Sequence, residues 1–314
     1  MRQVIGYRNF PDFLKKVYSV AIRFTKDRCL DLPAKVFQRR VVRLDQHVSR
    51  LYRELERECV ASLGLPGDQL ELTEELARQV KIASPLVLSK LMKLSQITGG
   101  FLYEQGPDGE RVATHQFASN PKLDDLEEFL EETGNAKTIV FCRFKREIEM
   151  VADLLRRKAI GFTVMDGSTS PEERGEAVRA FQEDVGIRGF IGQISTAGLG
   201  ITLTSAHYVY YYSNTYSLED RLQSEDRPHR KGLDHPVIYA YIVAETHDGK
   251  LTIDHEVLRV LKGKAAFAQE GSSALVARMR QPGDFDGPAE RANPAYARKG
   301  GSKYSDPILE NNDG

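Results

Sequence analysis

Cysteine is scarce. Cys29, Cys59 and Cys142 stand far apart, with no CxxC pair. That spacing argues against a disulfide framework and a structural zinc site, and it fits a reducing compartment. Neither sign of charge is in excess: 44 Lys and Arg face 45 Asp and Glu, a net charge of −1. No global basic field announces a polyanionic partner, so any contact with nucleic acid has to come from a local patch. Long apolar runs are missing too. The longest, about Val237 to Ala244, falls far short of the roughly 20 residues that span a bilayer. Met1-Arg2-Gln3-Val4 has no signal-peptide pattern. We expect a cytoplasmic protein with no membrane partner.

What is present is ordinary material for a globular core: 314 residues, 41% hydrophobic and 28% charged. Residues 1–134 read as mainly helical. Val48, Leu51, Leu55, Cys59 and Leu63 form a helical stripe on a charged segment. Leu86 to Ile97 repeats the pattern, and Thr98-Gly99-Gly100 stops it. Asn120-Pro121 supplies an N-cap and a first-turn proline for a helix reaching Glu132. The stretch 269–314 is rich in Pro and Gly and poor in large apolar residues, so it is expected to form a disordered tail.

From Lys137 the rhythm changes. Thr138 to Cys142 is a continuous apolar run, as in a strand buried on both faces. Further strands are expected at Phe162–Met165, Gly189–Gln193, Tyr208–Tyr212 and Val237–Val243. Helices fall between them, including Pro171–Phe181 and Leu218–Arg227. Such alternation implies an α/β fold: a parallel sheet with helices on both faces over 135–268. Ligands in such sheets sit beyond the strands' carboxyl ends, so the loops after Cys142, Met165, Gln193 and Tyr212 are the places to search.

Four runs could carry chemistry. In Gln223-Ser224-Glu225-Asp226-Arg227-Pro228-His229-Arg230, the residues Gln223, Arg227 and Arg230 fall at i, i+4 and i+7. Two guanidiniums so placed could grip a polyphosphate. On spacing alone a solvated, salt-bridged helix explains the run better, because acidic residues are interleaved. Ser195 to Thr204 is rich in small residues and hydroxyls, which let backbone N–H groups approach a phosphate; an ordinary tight turn has the same composition. Phe141 to Arg146 brings three cations and aromatics to a strand end, suited to a nucleic-acid backbone or equally to a basic helix start. Ser170-Pro171 with Glu173 reads as N-cap chemistry. The histidines have no metal-ligand spacing, and no metal-binding residues are expected.

In their order, these runs resemble the C-terminal half of the Swi/Snf-related ATPases of helicase superfamily two. Lys137 to Phe144 is similar to motif IV, Asp166 to Phe181 to the following block, Thr196 to Thr204 to motif V and Gln223 to Arg230 to motif VI. Asn120-Pro121-Lys122-Leu123 and Cys29 to Pro33 resemble the segment ahead of motif IV, so the likeness spans roughly 6–262. Ala197 and Lys231 depart from the common pattern and look most like phage and bacterial members. The resemblance implies a RecA-like lobe that clasps ATP against a second lobe and tracks DNA, mostly duplex. By resemblance, Arg227 and Arg230 reach the phosphates, Arg230 being the arginine finger. Gln223 couples nucleotide state to DNA, Gly198 and Gly200 shape the loop near the nucleotide, and Arg143, Lys145 and Thr196 contact DNA phosphates.

The sequence contains no GxxxxGK-S/T and no Asp-Glu dipeptide. The phosphate-cradling lysine and the carboxylates for Mg²⁺ would then come from an N-terminal helicase lobe elsewhere. The expectation is half an engine, from a split gene, a truncated gene or a cut fragment, inactive by itself. The alternatives are an ATP-independent DNA-binding or regulatory fragment and an unrelated α/β enzyme.

Overall fold

The computed structural model describes residues 29–62, 85–105, 111–196 and 200–279, together with Lys16. In chain order the elements are β1 (Lys35–Arg43), α1 (Gln46–Ser62), α2 (Pro85–Thr98), β2 (Phe101–Gln105), β3 (Arg111–Gln116), α3 (Pro121–Glu132), β4 (Thr138–Cys142), α4 (Lys145–Arg157), β5 (Gly161–Met165), α5 (Pro171–Glu183), β6 (Ile187–Gln193), β7 (Tyr208–Tyr211), α6 (Leu218–Glu225), β8 (Val237–Glu245) and α7 (Ile253–Met279).

β4 shows why a parallel sheet forms. All five residues are buried, and they alternate between two cores. Ile139 and Phe141 join the core that α5 and α7 cover with Phe181, Val257, Leu258 and Leu261. Val140 and Cys142 join the core beneath α3 and α4, with Leu126, Phe129, Val151 and Leu155. Helices therefore cover both faces, as the strand–helix alternation predicts. The sheet runs β1-β8-β7-β4-β6-β5, every neighbouring pair parallel.

The N-terminal part is where the structure departs from expectation. Residues 1–134 read as mainly helical, yet β1 lies among them and extends the sheet beyond β8, Lys35 opposite Val237 and Arg43 opposite Glu245. Its sequence, KVFQRRVVR, is half-exposed edge material whose pairing partner lies far along the chain. Local periodicity carries no trace of such a pairing. β2 and β3 form a separate antiparallel hairpin. In α1 the buried stripe is Val48, Tyr52, Cys59 and Val60, with Leu51 and Leu55 only packed against its flank; Leu63 lies outside the described residues. α7 continues to Met279, into the stretch expected as a tail.

Two N-terminal signals hold. Asn120 caps α3, its Oδ1 accepting from the Leu123 N–H at 3.3 Å, with Pro121 at the first helical position. Gly100 closes α2 at φ +89°, where an added Cβ would stand 2.1 Å from Asn120 Nδ2. Only glycine fits that approach. Deeper still, Lys122 is fully buried and pairs with Asp254 at 2.7 Å, tying the start of α3 to the start of α7.

Candidate nucleotide and DNA site

Two side-chain clusters emerge, in different places. The first lies where expected, beyond the carboxyl ends of β4 to β7. Gln193 bridges the loops: its Nε2 donates to the Arg143 carbonyl at 3.2 Å, and its Oε1 accepts from Gly167 N–H at 3.3 Å. Glu147, fully buried in the first turn of α4, is the hub. Its Oε2 accepts from the N–H groups of Arg143 (2.9 Å) and Phe144 (3.0 Å) and from the Ser213 hydroxyl (2.6 Å). One carboxylate thus fixes the loop after β4 against the loop after β7. Burial pushes the Glu147 carboxyl above its ordinary value, against the pull of these hydrogen bonds and of Lys122.

The three residues expected to meet DNA differ in what they present there. Arg143 turns inward: its guanidinium lies 5.0 Å from the Phe144 ring centroid and 5.4 Å from that of Tyr216, with Nη1 3.5 Å from Ser95 Oγ. Thr196 is buried, its N–H donating to the Gln193 carbonyl at 2.9 Å. Lys145 is exposed, its Nζ 3.6 Å from Asp166 Oδ2. Burial raises the Asp166 carboxyl, but hydrogen bonds from Ser168 and the Lys145 ammonium outweigh it and hold the group below its ordinary value.

The second cluster holds the arginines, and it corrects the sequence reading of how they are carried. The helix expected to reach Arg227 ends at Glu225, with Asp226 as its C-cap. Pro228 is the cause, since a residue before proline is pushed out of the α region and proline itself donates nothing. The i, i+4, i+7 geometry therefore does not apply. The residues converge nonetheless. Gln223, Arg227, Arg230, Thr202 and Lys231 line one open cleft of ≈ 450 Å³, with Leu30 and Asp226.

Hydrogen bonds stitch this segment to the end of the small-residue run. Leu203 N–H donates to the Arg227 carbonyl at 3.0 Å, Arg227 Nη1 to the Ile201 carbonyl at 3.4 Å, and Arg230 Nη1 to Thr202 Oγ1 at 3.0 Å. The cleft's contacts run to Leu203, ahead of β7, and to Pro33 and Lys35, at the start of β1. Arg227 is 6% exposed. Burial first, and the Arg230 guanidinium second, hold it below the ordinary arginine value, against the opposing pull of Asp226. Gln223 donates from Nε2 to Glu219 at 3.0 Å. Gly200 has φ +75° with nothing near a would-be Cβ, so the requirement there is the turn; Gly198 lies outside the described residues.

The cleft fits phosphate and not a metal. Its donors are guanidiniums, an ammonium, an amide and a hydroxyl. Its one carboxylate, Asp226, faces Lys35 at 3.7 Å. Two guanidiniums close enough to perturb one another suit a polyanion that would neutralise both. Thr202, Leu30 and Lys35 have no part in the sequence reading of the site. Thr202 sits inside a run whose glycines draw attention first, and the other two are far away in sequence.

Comparison with known proteins agrees with this architecture. Residues 121–232 match the family model of the helicase conserved C-terminal domain. The DNA repair protein rad8 of Schizosaccharomyces pombe is 28% identical over 151 residues, 48% of this chain and 13% of that protein. The human lymphoid-specific helicase is 31% identical over 130 residues, 41% of this chain and 15% of that protein. The chain thus matches only a small part of the length of these relatives, both eukaryotic. The crystal structure of the C-terminal part of the Fun30 ATPase domain superposes with a TM-score of 0.54 at 17% identity, covering 74% of this chain and 90% of that one. That likeness carries the fold. With the parallel sheet, it gives the chain a RecA-like α/β fold, in which residues 121–232 are similar to the helicase conserved C-terminal domain.

Proposed function

We propose that this chain is the C-terminal lobe of an ATP-dependent DNA translocase and works against a second lobe that binds most of the nucleotide. One observation carries the reading: Arg227, Arg230, Thr202 and Gln223 meet in a single open cleft although no helix face brings them there. The cleft offers cations to a phosphoryl group and leaves one side for another surface. Phosphoryl transfer is catalysed chiefly by positioning and by charge placed where charge develops. In this role Arg230 meets the transferring phosphoryl group, Arg227 holds the cleft's charge from its buried side, and Gln223 stands at the rim. Bound ATP with Mg²⁺ supplies the phosphoryl group; the ion's ligands belong to the partner lobe.

For DNA we retain Arg143, Lys145 and Thr196 as backbone contacts, with Lys145 foremost because its ammonium is the exposed one. Backbone contacts carry no sequence information, so binding is sequence-tolerant. The duplex preference, the cytoplasmic setting and the disordered tail stay proposals from sequence. So does the phage or bacterial type, which rests on Ala197 and Lys231 and gains nothing from the eukaryotic relatives.

The test is reconstitution. Phosphate release is measured for this chain, for a lobe carrying GxxxxGK-S/T and an Asp-Glu pair, and for the two fused, each with and without duplex DNA. DNA-stimulated hydrolysis by the fusion alone is the expected result. Turnover by the 314-residue chain alone, or none by any fusion that binds both DNA and ATP, refutes the reading.

A further inference from the structure

The arginine segment begins where α6 ends. Backbone bonds from Asp226 N–H to the Leu222 carbonyl and from Arg227 N–H to the Ser224 carbonyl join it to the helix, and a further set of ties comes from the N-terminal part of the chain. Glu225 is 2% exposed and lies between two cations. Arg221 Nε approaches its Oε1 at 2.9 Å, and Lys35 Nζ its Oε2 at 3.1 Å. Arg221 is itself anchored, 1% exposed with its guanidinium 3.5 Å from the Tyr211 ring centroid. Lys35 also lies 3.7 Å from Asp226, the residue before Arg227. On the far side of Arg227, His229 donates from Nε2 to the Pro33 carbonyl at 2.8 Å. Residues 226 and 229 are therefore both tied to residues 33–35.

We propose that residues 33–35 are a strut that holds Arg227 and Arg230 in register on the cleft, with Lys35 as its positioning residue. The proposal deepens the phosphate reading of the cleft and rests on it. Two neighbouring guanidiniums repel, and an unheld segment would relax by letting them part. The strut opposes that relaxation from the start of β1, the edge strand paired along its length with β8. It keeps the cleft formed before any anion arrives, which lowers the ordering cost of binding.

Lys35→Met tests this without undoing the fold, because Arg221 continues to neutralise the buried Glu225 carboxylate. Two readouts are taken on the full 314-residue chain. Amide exchange is followed at 226–231 with β4 as internal reference. Metal-free ATP is titrated by calorimetry at low salt. The strut predicts roughly tenfold faster exchange at 226–231, with β4 and the thermal midpoint unchanged. It also predicts several-fold weaker ATP binding. Lys35→Arg, which keeps the cation, should restore both. Unchanged exchange at 226–231 in Lys35→Met overturns the strut, whatever ATP does. Arg227→Ala and Arg230→Ala calibrate the second readout. If neither alters ATP binding, the phosphate reading fails, while the exchange arm still decides the strut.

Discussion

Arg143 and Arg230 belong to the same residue type and come from equally suggestive runs, yet the molecule uses them differently. Arg143 lies where α/β sheets usually place ligands, and its guanidinium is spent on Phe144, Tyr216 and Ser95. Arg230 lies beyond a helix that has already ended, bonded to Thr202, and lines an open cleft beside a second guanidinium. The first cluster is tied by a buried carboxylate and an amide bridge, through hydrogen bonds made within the protein. The second sets two guanidiniums close enough to perturb one another on an open cleft. A cation braced from within stabilises the fold; a cation set against its own kind stores the means to bind an anion.

That contrast is most easily broken through its supports. Lys122→Met removes the fully buried partner of Asp254 and leaves the carboxylate with only the Thr98 hydroxyl and the Ala244 N–H. Breaking a buried pair from one side costs about 3–5 kcal/mol. Urea unfolding should show a loss of that order, and a loss under about 1 kcal/mol would mean the pair is effectively solvated.

Arg143→Met and Arg230→Met sharpen the comparison directly. The first forfeits two aromatic contacts in a half-buried place, worth about 1–2 kcal/mol in the same assay. The second relieves repulsion of Arg227 and loses one hydrogen bond to Thr202, so stability should stay within about 0.5 kcal/mol. Equal losses at the two positions would erase the distinction.

Glu147→Gln gives the smallest effect and shows it in pH. The folded carboxyl is raised above the ordinary 4.5, so it binds a proton more tightly folded than unfolded. Its contribution is fully present below 4.5 and is lost as pH rises through the folded value. The parent's stability should therefore decline as pH rises above 4.5 relative to the Gln variant, whose curve lacks this component. A difference that grows toward acid instead would show that the three hydrogen bonds outweigh burial.

How much of this was legible in sequence depends on how local the cause is. The caps at Asn120 and Ser170, the glycine stop at Gly100 and the buried run Thr138–Cys142 are local, and the structure reproduces them. The early end of α6 was legible as well, since Pro228 announces it; reading helical spacing through a proline set the rule aside. β1 was not legible, because an edge strand whose basic and apolar residues follow no strict alternation is defined only by its pairing with β8. The strut at Lys35, the hub at Glu147 and the inward turn of Arg143 depend on partners brought together by the sheet. Composition cannot show where a side chain's charge is spent.

The central claim is that Arg230 acts on a nucleotide held by another lobe. In the fused two-lobe assembly, DNA-stimulated hydrolysis is measured for Arg230→Ala and Arg230→Lys beside DNA affinity. An arginine at the developing phosphoryl charge contributes roughly 10³–10⁵-fold in rate. A loss of that order is expected for Arg230→Ala. Arg230→Lys, which keeps the charge but not the planar fork, should recover only part of it, and DNA affinity should be nearly unchanged in both. Hydrolysis within a few-fold of the parent in both variants would contradict it, and would leave the cleft a patch of solvated charge.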